Sequence, residues 1–145
     1  LVLFYRAHLQ AGNTAAFAHL CEVLQARGMN PLPLALTSLK DMLCVDALRA
    51  LVVEHNVALI LNTTAFARSA PGDHALAGDV PVLQLILSGG NEARWRDDAH
   101  GLAPRDIAMH IALPEVDGRI VTRAVSFKGL GRHCERTQSD VVQYR

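Results

Sequence analysis

Short apolar runs alternate with amphipathic segments along roughly the first two thirds of the chain. Each run has the length of a strand buried on both faces of a sheet, and the runs occupy residues 1–5, 31–36, 57–61 and 80–87. Between them, residues 15–27 and 46–55 carry apolar side chains at helical spacing. This alternation predicts an α/β domain with a mostly parallel sheet flanked by helices, of flavodoxin-like or Rossmann-like type.

The pattern is weaker in the rest of the chain. Residues 91–97 predict a helical turn that carries Trp95, which we interpret as an anchor for a loop, and residues 104–113 predict a helix. Residues 68–79 hold Ser, Pro, Gly and Asp and predict a loop. Residues 119–127 predict a late strand, which could form a hairpin with Val141 and Val142. We expect one domain over 1–145, with 129–145 an uncertain tail or hairpin.

Composition narrows the class of protein. Half of the residues are apolar, and the 14 Lys and Arg balance the 14 Asp and Glu, so no broad basic surface for nucleic acid or an anionic membrane is expected. No apolar run approaches the roughly 18–20 residues of a membrane span. The three cysteines form no CxxC pair, which excludes a zinc ribbon and a redox dithiol and favours a reducing, cytoplasmic setting.

Polar and small residues follow each of the predicted strands, at 8–14, 37–38, 62–64 and 88–90. The carboxyl ends of parallel strands meet at one edge of a sheet, so four loops should share a ligand-binding rim. His8 could accept a proton or bind a metal there, although a hydrogen bond to its own loop would also explain it and is favoured by position alone. The loops ending in Thr14, Thr64 and Gly90 suit either ligand binding or ordinary capping and turn formation.

Glu115 and Asp117 form a candidate acidic pair. Two carboxylates two residues apart in an extended segment face the same side and could attract a divalent cation or exchange protons. A solvated turn before a hairpin explains the same residues, because Asp-Gly favours such turns. The other histidines are scattered, with His110 the least certain because it lies on the helix leading into this turn. No P-loop and no GxSxG motif occurs.

Several separate strings resemble the CobN-type large subunit of ATP-dependent aerobic cobaltochelatase. They are FYRAHLQAGNT at 4–14, NPLP at 30–33, SLKD at 38–41, ILNTTAFA at 60–67, ALPEVDGRI at 112–120 and RAVSFK at 123–128. They occur in the family's order and cover nearly all of the chain up to Lys128. The H subunit of magnesium chelatase is similar more loosely, and residues 129–145 match no pattern of the family.

The resemblance implies a piece of a much longer, multidomain, cytoplasmic subunit, which agrees with a chain that begins at Leu1. It implies insertion of Co²⁺, as substrate, into hydrogenobyrinic acid a,c-diamide during cobalamin biosynthesis. The implied partners are this corrinoid, the rest of the large subunit, and AAA+ ATPase and integrin-like subunits that handle ATP and Mg²⁺. No cofactor is expected to bind tightly to this segment, and the isolated segment is expected to be inactive.

On this basis we assign His8, Glu115 and Asp117 to proton transfer, with His8 and Glu115 also delivering the metal. The side chains expected to bind the arms of the macrocycle are Arg6, Gln10, Asn13, Thr14, Asn62, Thr63, Ser88 and Gly89. Three alternatives stay open: a non-catalytic scaffold segment of the same subunit, a magnesium chelatase porphyrin subunit, and a free-standing flavodoxin-like binding domain. If His8 and Glu115 lie far apart, a joint site fails.

Overall fold

The parallel strands of this chain share one sheet, as a computed structural model shows for residues 1–65, 78–134 and 139–144. The strands are β1 (Val2–Tyr5), β2 (Pro33–Leu36), β3 (Ile60–Asn62), β4 (Val82–Ser88), β5 (Ile120–Cys134) and β6 (Ser139–Tyr144). The helices are α1 (Arg6–Gln10), α2 (Ala15–Ala26), α3 (Met42–Glu54), α4 (Glu92–Asp97), α5 (Pro104–Ile107) and α6 (Leu113–Val116), with a π-helical segment, Ala108–Ala112, between the last two.

The sheet order is β2-β1-β3-β4-β5-β6. The first five strands are parallel, and β6 pairs antiparallel with β5 at the edge. The order 2-1-3-4-5 is that of the flavodoxin-like sheet and differs from the Rossmann order. The predicted α/β class and the predicted C-terminal hairpin are therefore confirmed, and the topology selects the flavodoxin-like alternative.

Helices cover both faces of the sheet because successive strand residues point to opposite sides. Leu3 packs with Leu48 and neighbouring residues of α3 on one face. Val2 packs with Leu61, Leu85 and apolar residues of α2 on the other. None of the described helices combines the length and apolar character that a membrane span requires.

Local hydrogen bonds moved some boundaries from their predicted positions. Helix α3 begins at Met42 rather than at Asp46, because the Asp41 carboxylate accepts the N–H of Leu43 and caps the first turn. Strand β3 begins at Ile60 rather than at Val57, whose N–H is used to close the end of α3 on the Val52 carbonyl. The predicted loop at 68–79 lies outside the described residues except for its last two.

A continuous helical stretch, Pro104 to Val116, runs back across the α3 face of the sheet. Asp106, near its beginning, is bonded to Ser88 at the carboxyl end of β4. Its end lies beside the start of β5, where the Arg119 N–H donates to the Pro114 carbonyl at 3.2 Å. The stretch therefore begins at the rim predicted to bind ligand and ends toward the opposite edge of the sheet.

Candidate functional site

A cavity of about 510 Å³ opens at the carboxyl ends of β1, β3 and β4. His8, Thr63 and Gly89, which come from three of the four predicted rim loops, all line it. The remaining polar wall residues are Tyr5, Arg94, Arg105, Asp106, His110, Lys128 and Tyr144. The flavodoxin-like order thus brings together loops that are far apart in the sequence, as the rule for ligand crevices in such sheets predicts.

His8 lies in α1, the short helix that directly follows β1 and replaces the loop expected there. The helix ends at Gln10, Gly12 reverses the chain with a φ of +66°, and the Asn13 N–H returns to the His8 carbonyl at 2.8 Å. Gly12 and Asn13 therefore lie in the turn that ends α1, and Thr14, the N-cap residue of α2, makes no side-chain capping bond. Because α1 continues straight from Tyr5, it carries the imidazole to the cavity wall.

Two aromatic rings hold the His8 imidazole edge-on. Its ring centroid is 5.2 Å from that of Phe17 and 5.4 Å from that of Tyr144. Burial lowers the pKa of His8 from its ordinary value of 6.5, and the nearby Lys128 ammonium lowers that pKa further. The imidazole is therefore neutral at pH 7, the form that accepts a proton or binds a metal ion.

The C-terminal hairpin supplies part of the same wall. Lys128 and Tyr144 are register partners in β5 and β6, and the Lys128 ammonium lies 5.6 Å from the centre of the Tyr144 ring. The Tyr144 N–H donates to Asn13 Oδ1 at 3.0 Å, which ties β6 to the corner between α1 and α2. Sequence reasoning gave residues 129–145 no role, because only the strand pairing brings Tyr144 to His8.

Asp106 anchors the loop after β4. Its carboxylate accepts the Ser88 hydroxyl at 2.7 Å and the Gly89 N–H at 2.9 Å. A Cβ on Gly89 would lie only 3.3 Å from Asp106 Oδ1, so glycine permits this close approach. Ser88 and the Gly89 N–H thus support the cavity wall, and Asp106 is a site residue that the sequence did not single out.

His110 lies on the cavity wall within the π-helical segment. Its Nδ1 is buried and has no hydrogen-bond partner among the described residues. Burial lowers the pKa of His110 from 6.5, opposed by the Asp106 carboxylate. From the sequence, His110 was only the histidine whose role was least certain. Its place on the cavity wall became visible only in the tertiary structure.

Asn62 and Asp117 belong to a largely buried network of hydrogen-bonded side chains. Asn62 Nδ2 donates to Gln84 Oε1 at 2.7 Å, and Asn62 Oδ1 accepts the Thr64 hydroxyl at 2.9 Å. The Arg119 guanidinium donates to Gln84 Oε1 at 3.1 Å and to Asp117 Oδ2 at 2.6 Å. Asn62, Thr64 and Gln84 are fully buried, so this network joins β3, β4 and the start of β5 below the cavity.

Glu115 is exposed in α6 and is not among the residues that line the cavity with His8. Nine residues of helical stretch separate it from Asp106 at the rim, a rise of roughly 14 Å. The expectation that Glu115 and Asp117 extend side by side is wrong, because Glu115 is helical and Asp117 follows the last turn of α6. The chain therefore does not form a joint site of His8 and Glu115.

Of the remaining predicted residues, Thr63 lines the cavity, whereas Arg6, Gln10 and Thr14 do not. Arg6 and Gln10 are exposed on α1, and Thr14 is the N-cap residue of α2 without a side-chain capping bond. The Thr63 hydroxyl lines the cavity while donating to the Leu3 carbonyl at 2.7 Å. Within the described ranges, no three His, Cys, Asp or Glu side chains cluster as a metal site.

A second cavity of about 530 Å³ adjoins the first and shares Gly90, Arg94 and Ala103 with it. Trp95 lines this second cavity and packs on Phe127 with ring centroids 5.0 Å apart. The contact holds α4 against β5, while the same indole lines the second cavity. The rim thus offers two adjoining concavities on either side of Arg94.

Comparison with curated proteins gives two relatives over nearly the whole chain. The aerobic cobaltochelatase subunit CobN of Pseudomonas aeruginosa is 55% identical over 99% of the chain. The subunit of the same name from Sinorhizobium sp. is 40% identical over 97% of it. The chain spans 12% of the length of each of these relatives.

A solved structure has the same fold. The catalytic subunit of cobaltochelatase from Mycobacterium tuberculosis superposes with a TM-score of 0.71 and 29% identity, covering 99% of this chain and 13% of that subunit. The family model described as CobN/Magnesium Chelatase matches residues 1–145. The chain therefore belongs to the CobN/magnesium chelatase family.

Proposed function

We propose that this segment forms one wall of the corrinoid site in the large subunit of a cobaltochelatase, where Co²⁺ is inserted during cobalamin biosynthesis. The observation that carries the proposal is the rim cavity, with a neutral, aromatically held His8 on its wall. The names of the CobN relatives support cobalt as the metal. The proposed corrinoid is hydrogenobyrinic acid a,c-diamide, as the family resemblance implies.

A metal-free corrin has one ring N–H, and insertion of Co²⁺ replaces that hydrogen by the metal. The N–H bond breaks, its electron pair forms a bond to cobalt, and the proton must go to a base. Neutral His8 can take this proton through a ring nitrogen. Its depressed pKa keeps it uncharged, so it does not repel the approaching cation.

The charged wall residues suit an anionic macrocycle. Lys128 and Arg105 line the cavity, and Arg94 lies between it and its neighbour. These cations can pair with the carboxylate arms of a corrinoid, and arginine does so with two parallel hydrogen bonds. Thr63 and, at the mouth, Arg6, Gln10, Asn13 and Thr14 are proposed to contact the arms that carry amides.

ATP and Mg²⁺ are proposed to act through AAA+ and integrin-like partner subunits in the cytoplasm. Much of the macrocycle site is proposed to come from the remaining length of the subunit, since this chain spans 12% of its relatives. In this arrangement Asn62, Ser88 and Asp117 support the wall through their hydrogen bonds, and Glu115 stays outside it.

The experiment is cobalt insertion by the complete subunit assembly with His8→Gln, with His55→Gln as the control. His55 is an exposed histidine at the end of α3. We expect His8→Gln to lower the insertion rate by at least tenfold while corrinoid binding, followed by absorbance, is kept. Equal rates for both variants, together with unchanged corrinoid binding by Lys128→Glu, would favour the scaffold alternative.

A further inference from the structure

We infer that the proposed corrinoid spans both cavities at the rim, and that Arg94 pairs with one of its carboxylate arms at the boundary between them. The inference rests on the proposed function and goes beyond it, because it assigns the second cavity, of about 530 Å³, to the ligand. It also makes Arg94 a residue that selects corrinoids with free carboxylates over those whose arms are all amides.

The boundary between the two cavities consists mainly of small residues. Gly90, Arg94 and Ala103 line both cavities. Glycine has no side chain and alanine has only a methyl group, so Arg94 is the long side chain among these three. The Gly90 carbonyl accepts the Lys128 N–H at 3.0 Å, which holds the boundary against β5. A ligand in the first cavity therefore meets the Arg94 guanidinium where it enters the second.

The backbone of Arg94 is held in place by contacts at both ends of its helix turn. Asn91 Oδ1 accepts the N–H groups of Ala93 at 2.9 Å and of Arg94 at 3.4 Å, and so caps α4. Trp95, the next residue, packs on Phe127 of β5. The Arg94 side chain itself is exposed. A held backbone lowers the ordering cost of binding a ligand group there.

The Arg94 guanidinium has no ionic partner among the described residues. Arg96, in the same helix, donates to Glu92 Oε1 at 2.6 Å. The Asp98 carboxylate accepts the His100 N–H at 3.0 Å and lies 2.6 Å from its ring Nδ1. These bonds to His100 are the main cause that lowers the pKa of Asp98, and the charge of Arg94 contributes least. Arg94 is therefore available to a carboxylate from a ligand.

The second cavity suits the outer edge of a corrinoid. Apolar side chains form much of its wall, namely Trp95, Leu102, Pro104 and Ile107. A corrinoid carries methyl groups and aliphatic arms around its ring, and burying them against an apolar wall is favourable. The charged end of an arm needs a cationic partner, which Arg94 supplies at the edge of this wall.

The charge of an arm decides how strongly Arg94 can bind it. In an a,c-diamide two arms end in amides, and the other acidic arms end in carboxylates. A guanidinium can form two parallel hydrogen bonds with a carboxylate, whereas an amide offers it one oxygen and no charge. Charge-assisted hydrogen bonds are roughly twice as strong as neutral ones. Full amidation of the corrinoid should therefore remove most of the contribution of Arg94.

The test is corrinoid binding by the full-length large subunit, followed by absorbance, with two metal-free probes. One probe is hydrogenobyrinic acid a,c-diamide, and the other is a corrinoid with every arm amidated. We expect Arg94→Gln to weaken binding of the diamide at least fivefold and binding of the fully amidated probe less than twofold. Arg94→Lys, which keeps the charge, should weaken diamide binding less. Arg96→Gln is the matched control and should bind both probes as wild type does.

The second cavity is tested with a bulky substitution. Ile107 lines only this cavity, and Ile107→Trp should weaken binding of both probes at least fivefold by filling it. Val116→Trp is the control, because Val116 is exposed in the same helical stretch and lines neither cavity. This control should bind both probes as wild type does.

Two results would overturn the inference. Binding of the two probes that is unchanged or equally weakened by Arg94→Gln would show that Arg94 does not select for carboxylate arms. Wild-type binding by Ile107→Trp would leave the second cavity outside the ligand site. A failure of the proposed function differs from both, because His8→Gln would then keep full insertion and Lys128→Glu would bind the diamide as wild type does.

Discussion

The Arg119 guanidinium donates to Asp117 Oδ2 at 2.6 Å, and the two side chains are only 2% and 10% exposed. The same guanidinium reaches the carbonyl of Thr64 and the side chain of Gln84. One arginine thereby links the turn before β5 to β4 and to the segment that follows β3. Asp117, chosen from the sequence as an acid for catalysis, is a partner of this buried cation.

Removal of the buried cation should destabilise this part of the sheet. Arg119→Met leaves the Asp117 carboxylate nearly buried and removes donors to Gln84 and Thr64, which costs on the order of 3 kcal/mol. The measurement is hydrogen exchange of the β3 and β4 amides in the full-length subunit. Arg49→Met is the control, because its ion pair with Asp46 is longer and largely exposed, and it should change exchange little.

Unchanged protection of β3 and β4 in Arg119→Met would contradict a structural role for the network. Asp117 and Arg119 lie below the cavity, so we expect them not to contact the ligand directly. Loss of corrinoid binding by Arg119→Met, with unchanged protection of β3 and β4, would instead indicate a direct contact.

Acidification should loosen the rim. The pKa values of His8 and His110 are lowered in the folded chain by burial, so the unfolded chain binds more protons once the pH falls to about their ordinary value of 6.5. Their contribution to stability is fully present above that pH and is lost progressively below it, until the pH falls below the folded pKa values. The double variant His8→Gln, His110→Gln should lose this dependence.

The check is hydrogen exchange at the ends of β1 and β4 between pH 7.5 and 5.5, corrected for the intrinsic exchange rates. The wild-type subunit should become less protected at low pH than the double variant does. Parallel pH profiles for the two proteins would show that folding does not lower the pKa of either imidazole.

Glu115 offers a direct comparison between the site first expected from the sequence and the site at the rim. Because Glu115 is exposed in α6, away from the cavity, Glu115→Gln should change the cobalt-insertion rate less than twofold. The assay is the one used for His8→Gln, in the complete assembly. A loss of insertion with corrinoid binding intact would return Glu115 to the mechanism and point to a contact with another part of the subunit.

The rim location of His8 could be predicted from sequence because it depends on local information. An apolar run followed by polar residues marks the end of a buried strand, and parallel strands end at one edge. The same reasoning, carried further, would have separated Glu115 from His8. Glu115 precedes the late strand, so it belongs toward the starting edge of the sheet, whereas His8 follows a strand.

The short helix α1 could not be read from the pattern. Five residues are too few to show helical periodicity, and their helical form depends on the turn closed by Gly12 and on continuity with β1. The prediction of an extended conformation for Glu115 was wrong for a related reason. Pro114 suits the first turn of a helix as well as a turn before a strand, and packing of the stretch against the sheet decided between them.

By itself, the sequence determined the α/β class, the parallel strands, the hairpin and the position of His8 at a strand end, because apolar periodicity and turn residues act over a few neighbouring positions. Only the tertiary structure decided that His110, Asp106, Lys128 and Tyr144 share a cavity with His8, and that Asn62 and Asp117 do not. Those relationships depend on sheet order and strand register, which result from burying both faces of the sheet at once. No pattern of neighbouring residues in the sequence indicates them.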